Sequence, residues 1–371
     1  MFKSADKVRS ELGIDTFKFY IGNELFNILN QNETVENKDQ QLYDVLDSRI
    51  SQIELDKTFT KKVALHYHET LNEEIIIALV KWFNKKCCKI ENVVLITSNT
   101  LGLKEWCTEY CKLMNKRMFT ILEIPFSNPY INDLITNVNQ RKIAESNHSI
   151  EYVYDYYGGL SDPNPDKDYL AALLMSEANF GFVDYKCGFS KDIQFFNNYL
   201  EQITGFSNRS LCDKLLSNRK KYNSIDKIHT LDEKETIGRD AFNNANTTFK
   251  SFCNVIRESF IDQNLNVITE KTIKCFLNKQ FPLPIGYMAA SRLENLGFKF
   301  LHNVIDYSYQ TQSLWYDRSL MLVQELNRLH NTYTLSELTN IKNKNIEILN
   351  HNFNHITSGH LYKLIQESII L

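Results

Sequence analysis

The sequence predicts an α/β fold in which parallel sheets are covered by helices. Three features of the sequence support this prediction. The chain has 371 residues, enough for two ordinary domains with separate cores. Short apolar segments alternate with single helical patterns through its first half, and a strand, helix and strand pattern returns at residues 252–286. Because parallel strands need crossover connections, which are usually helices, this alternation favours parallel sheets.

The first half of the chain supplies the elements of one Rossmann-like domain, predicted to span residues 1–160. Its four strands are expected at residues 61–68, 92–97, 118–124 and 149–154. A capping box at residues 70–73 is expected to open a helix with an apolar stripe over residues 75–83, and two further helices are expected from about residue 101 to 115 and from about 131 to 142. The nearly all-apolar second strand is typical of a sheet that is buried on both faces. The domain lacks a GxGxxG turn, which argues against a dinucleotide-dependent dehydrogenase.

Polar side chains follow the ends of these strands, at the edge where open α/β sheets bind their ligands. Glu69 comes after the first strand and Asp155 after the fourth, so both are candidate contacts for a substrate. The alternative is that they are loop residues or helix caps, as polar residues at strand ends commonly are.

A stretch rich in glycine and proline, between residues 156 and 168, marks the predicted domain boundary. A second domain is expected over residues 161–345, followed by a helical tail over residues 346–371. Asp166 and Asp168 have the spacing of a DxD pair, which can hold a divalent ion and a diphosphate. They also precede an apolar run directly, and carboxylates in that position begin helices. The sequence favours the helix start and leaves the metal site as the alternative.

The region from residue 206 to 239 is polar and rich in arginine and lysine. Most of this charge is expected on a solvated face. One of its arginines, with Arg219 as the named candidate, is nevertheless suited to binding a phosphate because a guanidinium group presents a planar fork of donors.

The segment from residue 252 to 286 carries the strongest signal for a ligand. Six of its residues are candidate contacts for a nucleotide donor: Arg257, Glu258, Thr269, Glu270, Lys271 and Gly286. Glu258 leaves a buried strand, where its carboxylate can accept hydrogen bonds from both ribose hydroxyls. Lys271 lies at the start of a helix, whose free N–H groups and dipole attract a diphosphate. Gly286 ends the next strand and lets the backbone approach a ligand closely. The alternative is an ordinary helix cap beside a surface lysine.

Composition limits the remaining possibilities. The net charge of −3 gives no overall basic field, so binding to nucleic acid would need a local patch. No apolar stretch approaches the roughly 18 to 20 residues that cross a bilayer, and a cytoplasmic protein is expected. Its eight cysteines lack CxxC pairs, which is consistent with reduced thiols. Cys107 and Cys111 are expected to pack as small apolar groups, and no metal site is predicted from them.

The segment from residue 252 to 286 also resembles a known motif. A glutamate at a strand end, then Ile-Thr-Glu-Lys-Thr, a proline and a glycine, is similar to the donor-binding motif of the α1,3-fucosyltransferase family. With the later runs Leu-Gly-Phe-Lys-Phe and Val-Ile-Asp-Tyr-Ser-Tyr, the segment looks still more like glycosyltransferase-like proteins of tailed phages and large DNA viruses. The resemblance covers about 60 residues, with a looser likeness over residues 315–329.

This resemblance implies a GT-B glycosyltransferase, with two Rossmann-like domains and the nucleotide sugar in the C-terminal one. It places Glu258 and Glu270 near the nucleoside and Lys271 on the diphosphate. In the family, an upstream arginine after a Ser-Asn pair also grips the diphosphate. This chain has a Ser-Asn pair before both Arg209 and Arg219, so the choice between them stays open.

The resemblance also implies an inverting, metal-independent transfer in which a nucleotide-diphosphate sugar is the co-substrate and no cofactor is required. The general base is expected in the N-terminal domain, where Glu69 and Asp155 are the candidates. The acceptor is a hydroxyl, either on a glycan or on a hydroxymethylated base of phage DNA, and a viral enzyme would act in the host cytoplasm. Two alternatives remain: a non-catalytic module that binds nucleotides or nucleotide sugars, and a metal-dependent transferase that uses Asp166 and Asp168.

Overall fold

The computed structural model describes residues 15–17, 35–67, 73–86, 89–97, 100–101, 103–123, 149–157, 165–184, 250–258, 266–267 and 269–358. The chain comprises two compact units. The first unit comprises Met1–Lys142, Asn264–Glu270 and Thr357–Leu371, and the second comprises Ile143–Gln263 and Lys271–Ile356. Each unit contains a four-stranded parallel sheet with helices, so the α/β class predicted from the sequence is confirmed.

The described residues contain ten strands and ten α-helices. The strands are β1 (Asp15–Phe17), β2 (Val63–Tyr67), β3 (Val93–Thr97), β4 (Thr100–Leu101), β5 (Thr120–Glu123), β6 (Tyr152–Tyr157), β7 (Phe182–Asp184), β8 (Ser251–Ile256), β9 (Asn266–Val267) and β10 (Phe281–Pro284). The helices are α1 (Val35–Arg49), α2 (Gln52–Lys57), α3 (Glu73–Lys85), α4 (Leu103–Leu113), α5 (Pro165–Glu177), α6 (Glu270–Leu277), α7 (Ala289–Asn295), α8 (Trp315–Thr332), α9 (Leu335–Lys344) and α10 (Ile346–Thr357). None of these ten helices is both long enough and apolar enough to cross a membrane.

The sheet of the first unit has the strand order β1-β2-β3-β5, and all its pairs are parallel. Its strands β2 and β3 are largely apolar, and Leu65 pairs in register with Leu95. Both leucines are completely buried, as expected for a parallel sheet that is covered on both faces. The strands predicted at residues 61–68, 92–97 and 118–124 are confirmed, with ends that differ by at most two residues. In the same unit, β4 and β9 form a short antiparallel pair.

Two helices of the first unit bury the apolar stripes that the sequence predicts. Ile76 and Phe83 of α3 are completely buried in the core. In α4, the buried positions are Leu103, Cys107 and Cys111, which recur at helical spacing. Burial raises the pKa of both thiols above its ordinary value. These cysteines therefore remain protonated and pack as small apolar groups, as predicted.

The sheet of the second unit has the strand order β10-β8-β6-β7, again with parallel pairs throughout. Here the structure differs from the sequence prediction. The strand expected at residues 149–154, as the fourth strand of the first domain, is instead β6, and it pairs with β7 and β8. The second unit begins at Ile143, ahead of the predicted boundary at residue 160. An apolar pattern predicts that a strand is buried, but it does not specify the neighbour with which the strand pairs.

Helices α8 and α9 pack on the second sheet, and α8 also packs on α5. Tyr154 of β6 connects the sheet to α5, because its hydroxyl shares its one hydrogen between the carbonyl oxygen of Ala178 at 2.7 Å and that of Leu174 at 3.2 Å. The tyrosine is completely buried, so both its ring and its hydroxyl are satisfied inside the protein. The helices thus hold β6 in this sheet.

Helix α10, the described part of the predicted tail, is bound to the loop that follows α7. The Asn352 side chain exchanges two hydrogen bonds of 2.8 Å with the backbone of Lys299, and the His351 ring donates to the Gly297 carbonyl oxygen at 2.8 Å. Gly297 has a φ of 92°, and a Cβ atom there would lie 2.9 Å from the His355 ring. Helix α10 is therefore an integral part of this fold, and the loop requires glycine at this position.

Candidate functional site

The carboxyl ends of β8 and β10 form one edge of the second sheet, which we call the carboxyl edge. The two strands are parallel neighbours, and Ile256 pairs in register with Pro284. The pairing continues past the strands, since the backbone N–H of Ile285 donates to the Ile256 carbonyl oxygen at 3.0 Å. Glu258 and Gly286 each lie two residues beyond this register pair, so they leave neighbouring strands at the same edge. Ligands of open α/β sheets bind at this kind of edge.

Glu258 is held in place by the first turn of α6. The hydroxyl of Thr272 donates to Oε1 of Glu258 at 2.5 Å, and the two residues are only 1% and 6% exposed. A short hydrogen bond to a carboxylate is charge-assisted, and burial limits competition from water. The bond therefore fixes the direction of the carboxylate. Arg257, the preceding residue, is also buried. A carboxylate has about four acceptor positions, so the bond from Thr272 is compatible with further bonds from a ligand.

Helix α6 begins at Glu270, as the sequence predicts. Thr269 precedes it and is buried, whereas Lys271, the second residue of the helix, is half-buried. The first N–H groups of a helix have no intrahelical acceptor, and they carry the positive end of its dipole. Lys271 precedes Thr272, the residue that holds Glu258, and it brings a positively charged side chain to the first turn of the helix. The helix start therefore combines backbone N–H groups of the kind that can bind an anion with a lysine side chain.

Gly286 opens a tight turn between β10 and α7. Met288 in this turn has φ 53° and ψ 23°, a left-handed conformation that is uncommon for a residue other than glycine. The Gln310 side chain clamps the turn: its oxygen accepts from the Ala290 N–H at 2.7 Å, and its nitrogen donates to the Pro284 carbonyl oxygen at 2.8 Å. Unusual backbone conformations persist when the surrounding structure fixes them, and they are frequent at functional sites.

Arg318 of α8 lies behind this turn and is completely buried. Its Nε donates to the Ile285 carbonyl oxygen at 2.7 Å, and its Nη1 donates to those of Gln312 at 2.6 Å and Ser313 at 2.8 Å. The guanidinium group therefore brings positive charge close to the carboxyl edge. The sequence predicted no role for Arg318, because residues 315–329 contain four charged residues and the pattern does not show which of them is buried.

The structure places Asp155 away from the carboxyl edge. The sequence predicted it beyond a strand end, but β6 continues to Tyr157, and Asp155 lies inside the strand with no exposed surface. Asn254 donates to its Oδ1 at 2.7 Å, and Gln280 donates to its Oδ2 at 2.9 Å. Burial raises the pKa of this carboxyl group to about 7, although the two amide donors act in the opposite direction. Asp155 is therefore part of an interior polar network, and this position does not suit a base that contacts an acceptor.

Lys342 of α9 lies near this polar network and interacts with the charge of Asp155. Its ammonium group donates to the Ser251 carbonyl oxygen at 3.3 Å. Burial lowers the pKa of Lys342 to about 8, while the negative charge of Asp155 acts to raise it. Burial thus disfavours the charged form of both groups, and their mutual attraction partly offsets this effect.

Four other residues that the sequence predicted as site residues are not among the described residues of the carboxyl edge. Glu69 and Arg219 lie outside the described residues. Asp166 and Asp168 lie in the first turn of α5, which begins at Pro165, so the predicted helix start is confirmed. Proline suits the first position of a helix because the missing N–H would have no acceptor there. Within the described residues, no group of three or more histidine, cysteine, aspartate or glutamate side chains is arranged to hold a metal ion.

Comparison with known proteins gives no match. None of the family models, curated proteins or solved structures compared with this chain is similar to it. The carboxyl edge combines a buried carboxylate, a lysine at a helix start and a clamped turn that begins at a glycine. These groups suit the ribose hydroxyls and the diphosphate of a nucleotide.

Proposed function

We propose that this chain is a glycosyltransferase whose second unit binds a nucleoside-diphosphate sugar at the carboxyl edge. The observation that carries the proposal is the hydrogen bond between Thr272 and Glu258, which joins a fixed carboxylate to the helix start that bears Lys271. In the proposed complex, Glu258 accepts hydrogen bonds from the ribose hydroxyls. Lys271 and the N-terminal N–H groups of α6 bind the diphosphate. The likeness of this segment to the donor motif of the α1,3-fucosyltransferases supports the same assignment and adds Glu270 to the nucleoside contacts.

Sugar transfer leaves negative charge on the departing nucleoside diphosphate. Groups that already face this charge in the resting protein stabilise the transition state without reorganisation. Lys271 and the dipole of α6 are such groups, and they act on the leaving oxygen. An arginine from the region of residues 206–239, with Arg219 as the candidate, would add a second cation. Since these cations neutralise the leaving group, the proposed reaction needs no divalent ion.

The remaining parts of the proposal concern the acceptor side. We assign the chain to the GT-B architecture of two Rossmann-like domains, and the presence of a parallel four-stranded sheet in each unit supports this. The first unit would supply the base. Glu69, two residues after the end of β2, is our candidate. Its carboxylate would take the proton from the acceptor hydroxyl while the hydroxyl oxygen attacks the anomeric carbon and the diphosphate leaves, which inverts that carbon.

The proposed acceptor is a hydroxyl group on a glycan. The alternative acceptor, a hydroxymethylated base in phage DNA, calls for a basic surface along the duplex. The net charge of −3 gives no such general field, and it favours the glycan. The proposed place of action is the cytoplasm, which for a viral enzyme is that of the host.

A thermal-shift screen against sugars linked to GDP, UDP, CDP, ADP and dTDP tests donor binding. A ligand present at a hundred times its Kd stabilises the folded protein by about 2.7 kcal/mol, which raises the Tm measurably. We expect donors with one nucleobase to raise the Tm and the matching nucleoside monophosphate to raise it less, because the monophosphate lacks the β-phosphate. If no nucleoside diphosphate or sugar donor raises the Tm, the proposal is wrong.

A second measurement separates an enzyme from a module that only binds. The stabilising donor is incubated with the protein, and release of the nucleoside diphosphate is followed with and without a mixture of glycan acceptors. An enzyme releases nucleoside diphosphate slowly by hydrolysis and faster when an acceptor hydroxyl is present. Binding without any release over many hours would identify the non-catalytic alternative.

A further inference from the structure

One aromatic residue at the carboxyl edge has no role in the donor contacts described above. Tyr287 follows Gly286 in the turn between β10 and α7, and it is half-buried. Its ring centroid lies 6.0 Å from Cζ of Arg318. A guanidinium group at this distance from an aromatic ring is attracted by the negative charge of the ring face. Tyr287 is thus partly exposed, and its ring faces a guanidinium group that is buried in the protein.

The Arg318 side chain that contacts the Tyr287 ring is held in a fixed position. It is completely buried, and its guanidinium group is fixed by three hydrogen bonds to backbone carbonyl oxygens. One of these carbonyls belongs to Ile285, two residues before Tyr287. The same side chain therefore binds the backbone of the turn and contacts the ring that the turn carries.

The backbone under Tyr287 is also fixed. The next residue, Met288, has the left-handed conformation, and its N–H donates to the backbone carbonyl oxygen of Gln310 at 3.2 Å. The Gln310 side chain bonds to the strand before the turn and to the helix after it, through Pro284 and Ala290. A ring on a turn that is held at both ends can bind a flat ligand without a large loss of conformational entropy.

We infer that the Tyr287 ring is the surface on which the nucleobase of the donor stacks, an inference that rests on the proposed function. Glu258 and Gly286 leave neighbouring strands two residues beyond a register pair, and Tyr287 comes next along the chain. The backbone of Tyr287 therefore leaves the sheet beside the strand end that carries the carboxylate assigned to the ribose. A nucleotide joins a base, a ribose and a diphosphate in that order, and the carboxyl edge offers a ring, a carboxylate and a lysine. The ligand is a nucleoside diphosphate whose affinity depends on its base.

Calorimetric titration with GDP, UDP, CDP, ADP and inorganic pyrophosphate tests the inference. Base stacking on an aromatic ring is worth enough that Tyr287→Leu is expected to weaken binding of the preferred nucleoside diphosphate by about tenfold or more. Tyr287→Phe keeps the ring and is expected to retain most of the affinity. Pyrophosphate has no base, so its affinity is expected to be the same for the wild type and both variants. Tyr333→Leu is the matched control. Tyr333 is also half-buried, but it follows the C-terminal end of α8, whereas Arg318 lies near the N-terminal end.

The outcomes separate the inference from the function on which it rests. If the wild type binds neither nucleoside diphosphates nor pyrophosphate, both fail. If Tyr287→Leu binds the nucleoside diphosphate as tightly as the wild type, while Lys271→Ala does not, the donor site stands and the stacking role is wrong. If Tyr287→Leu loses pyrophosphate and nucleoside diphosphate equally, the residue only maintains the turn, and the stacking role is again wrong.

Discussion

Thr272 donates a hydrogen bond of 2.5 Å to Glu258, and this bond joins the end of β8 to the first turn of α6. The two residues are 14 positions apart in the chain and both are buried. The bond turns two local features, a strand end and a helix start, into one site, because the carboxylate cannot rotate away while the hydroxyl holds it. Thr272 is thus a positioning residue for the proposed ribose contact.

The first prediction concerns this bond. Thr272→Val keeps the shape of the side chain but removes the donor, which leaves a buried carboxylate with one partner fewer. We expect the free energy of unfolding to fall by about 1–3 kcal/mol in urea denaturation. We also expect the affinity for the preferred nucleoside diphosphate to fall by about tenfold, which corresponds to about 1.4 kcal/mol. Thr272→Ser retains the hydroxyl and serves as the control. Equal donor affinities for the valine variant and the wild type would contradict the positioning role.

The second prediction concerns the charge at the start of α6. Hydrogen bonds to charged groups contribute about 1.5–3 kcal/mol, so Lys271→Ala is expected to weaken diphosphate binding by at least about tenfold in calorimetry. Lys274→Ala is the matched control, because Lys274 is half-buried on the same helix but lies in its last turn. There the helix dipole is negative and does not attract a phosphate. If both variants lose the same affinity, Lys271 acts only through net charge and the assigned contact is wrong.

The elements around this site could largely be predicted from the sequence. The strand before Glu258, the helix start at Glu270 and the strand before Gly286 are confirmed to within one or two residues. Their patterns are local: an apolar run and a polar cluster that begins a helix. The side chains that hold the turn after β10 in place could not be predicted in this way. Gln310 and Arg318 contact the turn after β10 from 20 to 33 residues further along the chain, and no short pattern encodes such a contact.

The position predicted for Asp155, at the end of a strand, is wrong. Its place after an apolar run suggested a strand end, but the strand continues through it, and its buried carboxyl group is satisfied by amides from β8 and from Gln280. A buried polar group within an apolar strand looks like a strand end in the sequence. The two cases differ only in whether partners for the group exist inside the fold.

This buried carboxyl group leads to the third prediction, on the pH dependence of stability. The pKa of Asp155 is raised in the folded protein to about 7, so the folded state binds its proton more tightly than the unfolded state does. Its contribution to stability is therefore lost as the pH rises from the ordinary aspartate value toward 7. Lys342 acts in a higher window, because its pKa is lowered to about 8 and its destabilising effect is relieved only above that pH. The buried Cys253 and Cys275 stay protonated throughout, since burial raises the pKa of both thiols.

Asp155→Asn isolates the effect of this carboxyl group. Asparagine resembles the protonated carboxyl group in size and charge, so the variant is expected to lack this loss of stability. Urea denaturation of both proteins between pH 4.5 and 7.5 measures the difference, and the other carboxylates cancel in the comparison. We expect the free energy of unfolding of the wild type, relative to the variant, to decrease steadily as the pH rises. Parallel curves would show that the pKa of Asp155 is not raised by folding.

The fourth prediction is that sugar transfer continues in excess EDTA. In the proposed site, Lys271 and the N-terminus of α6 neutralise the charge of the departing diphosphate, which is the role that a divalent ion plays in other transferases. The rate with the preferred donor and acceptor is therefore expected to be the same with EDTA as with added Mn²⁺. The variant Asp166→Asn, Asp168→Asn is expected to keep this rate, because these aspartates lie in the first turn of α5 and belong to a helix start. Loss of activity in EDTA, with recovery on Mn²⁺ in the wild type but not in this variant, would show instead that a divalent ion held by these two aspartates binds the diphosphate.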